Sequence, residues 1–261
     1  MVKNKTPKRG DWIEDEKNQK LLVEMWGDYI NWDKRREIEK GWLVNQLKRF
    51  NCKKIFDSCV GDGCDAIYLI KQGFDVVGND IDELFIQKTL QNIKKENVQL
   101  KIYNLDWREL TKEIPKQSFD AVLCTGNSLY CLFGKENKIE ALKQFYTILK
   151  KEGILIIDER NYQYVLDNRE KILKQKPHTT GCMYYGKRIY GRIIEIKDDR
   201  IKYELYDKKN KKATFAILQP HKRGELNKNL RKVGFQKIEQ YSDYQSGEKP
   251  KAIFYMYVCQ K

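Results

Sequence analysis

From residue 53 to residue 160 short apolar runs alternate with stretches of helical spacing: 53–58 then 64–72, 74–79 then 82–95, 100–104, 119–125 then 137–150, and 153–158. Strands separated by helices are joined by crossovers, and crossovers mean a parallel sheet whose ligand edge lies at the carboxyl ends of the strands. Three of those ends carry an aspartate: Asp57 closes the first strand, Asp80 the second and Asp106 the third. Met singly, each is an ordinary turn residue. Three in succession on one edge, beside glycines, mark a binding site.

The first junction reads DSCVGDGCDA, residues 57–66. Gly61 and Gly63 let the backbone turn tightly and approach a ligand, where any side chain would occupy ligand space. GDGCDA also satisfies the G-x-G-x-x-A dinucleotide pattern, which makes a nicotinamide enzyme the first competitor. In that pattern the first glycine follows the strand at once, so that the pyrophosphate meets the helix N-terminus. Here Asp57 stands four residues ahead of Gly61, a carboxylate where a dinucleotide needs room for anions. A cationic ligand suits the site better. Asp80 is spaced to accept two bonds from ribose hydroxyls, and Asp106 one from an adenine amino group while Trp107 packs on the ring. Adenine, ribose and a positive centre together describe S-adenosylmethionine.

The stretch 53–160 therefore resembles the class I S-adenosylmethionine (SAM)-dependent methyltransferases, whose pattern runs acid-x-G-x-G-x-G; Cys59 stands at the first of those glycines. Within that class the chain resembles the glycine and glycine/sarcosine N-methyltransferases. The likeness covers FDAVLCTGNSLYCLF (119–133), with Gly126-Asn127-Ser128 after the fourth strand, and ALKQFYTILKKEGILIIDERNYQYVL (141–166), with Arg160-Asn161-Tyr162 after the fifth. It extends to Trp26, Tyr29 and Arg35 ahead of Trp42. One departure stands out: the family has a tyrosine before Pro-His, and this chain has Leu218-Gln219-Pro220-His221.

The resemblance implies SAM as methyl donor, S-adenosylhomocysteine as product, and a small carboxylate-bearing amine such as glycine or sarcosine as acceptor. It implies cofactor contacts from Trp26 and Tyr29 closing over the ligand, Arg35 toward the methionine carboxylate, and Asp57, Cys59, Gly61, Gly63, Asp80, Ile81, Asp106, Trp107, Thr125 and Ser128 along the strand ends. Arg160 becomes the guanidinium for the acceptor carboxylate, a bidentate match. Asn127 offers its carbonyl oxygen to the acceptor amine. Tyrosines from the later strands surround the methyl group, Tyr185 and Tyr206 being preferred to their neighbours Tyr184 and Tyr203.

The expected fold is α/β: a Rossmann-like methyltransferase sheet, mostly parallel with an antiparallel last strand, N-terminal helices, and a small antiparallel β flap inserted after strand five. Residues 17–50 carry helical spacing throughout (Leu21, Leu22, Met25, Trp26, Tyr29, Ile38, Trp42, Leu43, Leu47). From about 180 the pattern turns strand-like, in MYYGKRIYGRIIEI, IKYELYD and ATFAIL, with turns at Asp198-Asp199 and Lys208–Lys212. A helix over 223–233 and the strands FQKIEQY and AIFYMYV close the chain. This divides it into an arm and closing helices (1–50), a SAM-binding core (51–160), an inserted helix and flap forming a substrate lid (161–222), and closing elements (223–261).

Bulk properties narrow the field. Seven cysteines, without a CxxC pair and with only two histidines, favour reduced thiols over disulfides or a metal site. No run approaches the ~20 apolar residues of a membrane span, and the basic N-terminus has no apolar stretch behind it. A cytoplasmic protein, neither exported nor membrane-bound, is expected. The net charge of +14 raises the question of nucleic acid, but lysines run along the whole chain beside glutamates, with local excess only at Lys3, Lys5, Lys8 and Arg9 and at Lys208–Lys212. GNSLY is not the N-P-P-Y type of motif used on base amines, and no Pro-Cys nucleophile is present. The partner expected is a small molecule rather than nucleic acid, and self-association into a homo-oligomer is compatible with the pattern. Competing readings keep SAM but change the acceptor to another amine, amino acid or hydroxyl compound, or make the chain a SAM-binding sensor.

Overall fold

The computed structural model describes residues 12–174 and 188–261. Three helices open the chain: α1 (Glu16–Ile30), α2 (Trp32–Glu39) and α3 (Trp42–Arg49). The continuous helical spacing of 17–50 is broken twice, where Asn31 (φ 51) and the pair Lys40 (φ 49) and Gly41 (φ 73) take left-handed conformations that end one helix and redirect the next. Asp15 caps α1 by accepting from the Asn18 N–H at 2.8 Å.

The alternation follows as expected: β1 (Lys54–Asp57), α4 (Cys64–Lys71), β2 (Asp75–Asn79), α5 (Glu83–Lys95), β3 (Lys101–Tyr103), β4 (Phe119–Cys124), α6 (Lys135–Ile148) and β5 (Leu149–Arg160). Short 3-10 turns at Trp107–Lys112 and Ser128–Cys131 flank β4. After β5 come α7 (Tyr162–Asp167) and α8 (Arg169–Leu173), then β6 (Ile189–Ile196), β7 (Ile201–Asp207) and β8 (Lys212–Leu218). The chain closes with α9 (Glu225–Val233), β9 (Lys237–Ser242), β10 (Gln245–Ser246) and β11 (Phe254–Gln260).

The main sheet has the order β10-β9-β11-β5-β4-β1-β2-β3. β1 pairs in parallel with β2 and β4, Ile55 lying opposite Val76 on one side and Ala121 on the other. β11 runs antiparallel to β5, with Tyr257 opposite Ile157. Because the chain leaves β1 toward β2 and later returns to place β4 on its other flank, the loops after β1 and β4 diverge and leave a crevice at their carboxyl ends. Buried side chains alternate across these strands. Phe56, Val122 and Leu155 meet Leu142 and Phe145 of α6 on one face, and Ile55, Ala121, Leu123 and Ile156 meet Leu47 and Leu69 on the other.

β6, β7 and β8 form a separate antiparallel sheet, the flap expected from the sequence. Its inner residues Ile193, Tyr203, Ala216 and Leu218 join the apolar cluster of the main sheet, and Ile189 and Leu205 pack with Leu22, Met25 and Tyr29 of α1 and Phe85 of α5. α1 is thus held between the flap and α5. The contact is tight at one point: a Cβ on Gly191 of β6 would lie 2.9 Å from the Tyr29 ring and hydroxyl.

Gly191→Ala therefore forces the flap and α1 apart, and urea denaturation is expected to show a loss of about 1–3 kcal/mol, the range for overpacking. An unchanged midpoint would mean that Tyr29 swings aside freely and that α1 is not clamped.

Candidate active site

A cavity of ≈ 360 Å³ opens at the carboxyl ends of β1, β2, β4 and β5. Its floor begins with the loop after β1. Gly61 adopts φ +55, and an added Cβ there would find nothing nearer than Cys59 O and Trp26 Nε1, both at 3.9 Å, so it would project into the cavity. The Gly61 N–H donates to Asp80 Oδ2 at 2.9 Å, and the Asp82 N–H donates to Asp80 Oδ1 at 3.0 Å. The Ile81 N–H also reaches the carboxylate, whose two oxygens offer about four acceptor sites in all. Burial pushes the Asp80 carboxyl up to about 7, opposed by the N–H groups of Asp82 and Gly61.

Asp57 and Gly63 do not stand where the strand-end reading puts them. Asp57, only 2% exposed, lies beneath the cavity wall rather than in it. It accepts from the Cys59 N–H at 3.3 Å, and burial, reinforced by the charge of Asp65, raises its carboxyl to about 8. Gly63 caps α4 at φ +88, and an added Cβ would lie 2.8 Å from Thr89 Cγ2 of α5. Its bareness serves helix packing, not the ligand. Thr89 completes the joint by donating its hydroxyl to Gly61 O at 2.6 Å.

On the rim after β3, Arg108 grips Asp106, Nε to Oδ1 at 2.9 Å and Nη2 to Oδ2 at 2.5 Å. Trp107 is pinned through its indole N–H to Ser58 O at 2.7 Å. Cys59, Ile81, Thr125 and Ser128 line the cavity as expected, with Ser128 Oγ donating to Thr125 O at 2.7 Å. From α1 and α2 come Trp26, Tyr29 and Arg35. The Trp26 ring centroid lies 6.0 Å from that of Tyr29 and 5.5 Å from that of Phe85. Arg35 Nη2 pairs with Asp65 Oδ2 at 3.0 Å. Burial opposes ionisation of Asp65, but Arg35 and Arg36 together hold its carboxyl below the ordinary value.

The opposite side of the cavity is built on Asp158, near the end of β5. Its carboxylate accepts the N–H groups of Gly126 (2.9 Å) and Asn127, and so fixes the loop after β4. Asn127, at φ 64, spends its side chain within the fold: Oδ1 accepts from the Arg160 N–H at 2.9 Å and Nδ2 donates to Tyr162 Oη at 2.6 Å. The carbonyl oxygen expected to meet an acceptor amine thus already holds the backbone of Arg160. The Arg160 guanidinium lies 4.7 Å from the Phe254 ring centroid and 5.5 Å from that of Tyr203.

The flap contributes Tyr203, Leu205, Ala216 and Leu218 to the cavity. Tyr206 is a correction. Residues alternate across β7, so Tyr206 faces the side opposite Tyr203 and packs on Tyr190 with ring centroids 5.4 Å apart. Tyr184, Tyr185 and the basic arm Lys3–Arg9 lie outside the described residues. Sequence reasoning missed Asp158 as a cavity residue, although the strand-end rule that found Asp80 applies equally to IIDER. It also missed Trp12, Trp32, Phe85, Tyr244 and Met256, which carry no local signal because the fold alone brings them together.

Residues 55–153 match the family model described as a methyltransferase domain. Over 243 residues the chain is 33% identical to the glycine/sarcosine N-methyltransferase of Aphanothece halophytica, covering 92% of this chain and 88% of that one. The chain belongs to the glycine/sarcosine N-methyltransferase family. The glycine N-methyltransferase of Rattus norvegicus is 34% identical over 67% of this chain and 59% of its own length. A SAM-dependent methyltransferase from Clostridium acetobutylicum shares the fold, with a TM-score of 0.73 at 14% identity over 92% of this chain and 98% of that one.

As a member of the glycine/sarcosine N-methyltransferase family, the chain is a SAM-dependent methyltransferase, and its residues fit that donor. Gly61 is a cradle that a Cβ would fill, Asp80 stands beside it, and the lining carries five carboxylates, Asp62, Asp65, Asp80, Asp106 and Asp158, against three arginines, Arg35, Arg108 and Arg160.

The reassignment of Gly63 is testable. Gly63→Ala is expected to cost about 2–3 kcal/mol of stability through positive φ and overpacking. Thr89→Ser, which deletes Cγ2 but keeps the hydroxyl, should recover part of that loss in the double variant. A double-mutant cycle with no coupling in chemical denaturation would return Gly63 to the ligand.

Proposed function

We propose that this chain transfers the methyl group of SAM to the amino nitrogen of glycine or sarcosine. The observation that carries the reading is the Arg160 guanidinium, set beside the Phe254 and Tyr203 rings on a backbone that Asn127 holds, in the same cavity as the Gly61–Asp80 cradle. A planar cation of this kind binds the carboxylate of a small amino acid in two-point fashion. The names of the relatives support the acceptor class.

SAM, when bound, supplies a methyl group on a sulfonium, and its transfer moves positive charge onto the acceptor nitrogen. The residues of this chain bind and orient. In this assignment Asp80 accepts the ribose hydroxyls, Asp106 and Trp107 meet the adenine, and Arg35 faces the methionine carboxylate. Trp26 and Tyr29 close over the donor and exclude water. Residues 161–222 serve as the substrate lid. Arg160 holds the acceptor carboxylate, and Asn127 acts as a positioning residue that sets the end of β5. Tyr203 replaces Tyr206 as the flap tyrosine beside the reacting atoms. Asp158, and Asp80 in its ionised form, favour a cationic centre over a neutral one. No base is required of the protein when the amine binds neutral.

A second reading changes only the acceptor. Gln219, at the place before Pro-His where the family carries a tyrosine, turns to Gly134 and Lys138, and the neighbouring wall of Leu218, Ala216 and Leu205 is apolar and suits an amine with an alkyl substituent. A screen of amino acids and amines for S-adenosylhomocysteine release separates the two. Turnover of larger amino acids with none on glycine or sarcosine would select the second. The acceptor is a small molecule rather than nucleic acid in both. A cytoplasmic setting belongs to the proposal; among the described residues no helix is long and apolar enough to cross a membrane, and the six described cysteines are free thiols, as a reducing compartment keeps them.

Arg160→Ala is expected to raise the acceptor KM by about a hundredfold, the equivalent of one or two charged hydrogen bonds, with S-adenosylhomocysteine affinity nearly unchanged. Collapse of that affinity at unaltered KM would contradict the assignment. Because the Asp80 carboxyl is raised to about 7 and the ribose needs its ionised form, binding releases a proton below that value. Affinity for S-adenosylhomocysteine should therefore strengthen by up to about tenfold between about pH 6 and about pH 8.5. Calorimetry on Asp80→Asn should show weaker binding with most of this slope removed.

A further inference from the structure

A second cavity, of ≈ 430 Å³, lies against the end of β5 and the start of α9. Five basic side chains line it, Arg160, Lys222, Arg223, Lys228 and Arg231, against two acidic ones, Glu159 and Glu248. Arg231 is tied back to Asn227 Oδ1 at 3.0 Å and to Gln236 O at 3.3 Å. Lys222, Arg223 and Lys228 are exposed and enter no ion pair among the described residues. Gly224 caps α9, nine residues long, without a side-chain oxygen for the first-turn N–H groups. Five basic groups against two acidic ones thus leave the concavity with an excess of positive charge.

Its inner wall is a buried polar network. Glu159 accepts from Tyr257 Oη at 2.6 Å and from Tyr130 Oη, and Tyr130 Oη lies 3.2 Å from His221 Nδ1. Since the Tyr130 proton goes to Glu159, His221 must donate through Nδ1, which leaves Nε2 as an acceptor. Burial, with the charges of Lys138 and Lys135, keeps that ring neutral. His221 is 4% exposed, lines the cavity, and its Nε2 has no hydrogen-bond partner among the described residues. A buried acceptor without a donor is a cost that a bound hydroxyl removes.

We propose that this second cavity is a binding site for a small multivalent oxyanion that also carries an O–H group, its charges met by Lys222, Arg223 and Lys228 and its hydroxyl by His221. Phosphate esters and hydroxy-carboxylates share that chemistry. Arg160 lines both cavities, so an anion here draws the guanidinium away from the acceptor carboxylate and weakens acceptor binding. This coupling rests on the role proposed for Arg160 above; occupancy of the cavity does not.

The test titrates pyrophosphate and citrate separately into the full chain saturated with S-adenosylhomocysteine, so that the first cavity's donor half is filled. One ion is expected to bind per chain, with affinity at least about tenfold lower in Arg223→Gln/Lys228→Gln and retained in Arg223→Lys/Lys228→Arg. Binding of pyrophosphate alone identifies the phosphate source, and of citrate alone the carboxylate source. Binding of neither, or equal binding by the charge-neutral double variant, overturns the site. In the native chain the bound ion should raise the KM of the acceptor found by the screen, leaving kcat unchanged, and the double variant should lose that effect. A charge-dependent site without any rise in KM keeps the binding site and rejects the link through Arg160.

Discussion

Carboxylates at the ends of strands, desolvated and met by backbone N–H groups, are the constraint from which the site is built. A buried carboxylate is costly unless hydrogen bonds answer it, and each one here recruits a loop to do so. Asp80 takes the Gly61 and Asp82 N–H groups and thereby sets the turn after β1. Asp158 takes those of Gly126 and Asn127 and sets the turn after β4. Asn127, once placed, fixes the Arg160 backbone on β5. The same groups that fasten the loops line the cavity, so loop order and the chemistry of the cavity wall have one source.

The second requirement is a wall that closes the cavity on the side of α1 and the flap. α1 lies between the flap and α5 and presents Trp26 and Tyr29 to the cavity. The far end of the flap is secured differently. Gln219 Oε1 accepts from the Gly134 N–H at 2.8 Å and from Lys138 Nζ at 3.0 Å, while Gln219 O accepts from the same ammonium at 3.0 Å. Burial lowers Lys138 to about 8, and Gln219 supplies the oxygens that let so buried an amine persist. The residue pair at which this chain departs from its family thus divides its work: Leu218 shapes the cavity wall, and Gln219 bolts the flap to α6.

Much of the site was legible in advance because strand-end position is a local property. Asp80 and Gly61 follow from a strand pattern and the few residues after it, and Thr125, Ser128 and Arg160 from the resemblance carried by GNS and RNY. Gly63 and Asp57 were read with the same rule and came out differently. A glycine facing a ligand and a glycine facing a threonine on the next helix have the same local sequence. Tyr206 against Tyr203 was a question of register, and one residue along a strand reverses the face.

By itself the sequence determined the alternating β and α elements, the parallel order with its ligand edge, the acids at that edge and the family, because periodicity and strand-end chemistry are written within a few residues of each other. Tertiary structure decided which of those acids reach the cavity, that Asn127 is occupied in holding Arg160, which flap tyrosine turns inward, and that His221, Lys222, Arg223 and Lys228 gather around a second concavity beside Glu159. Those outcomes depend on contacts between residues far apart in the chain, and packing, not local propensity, selects among them.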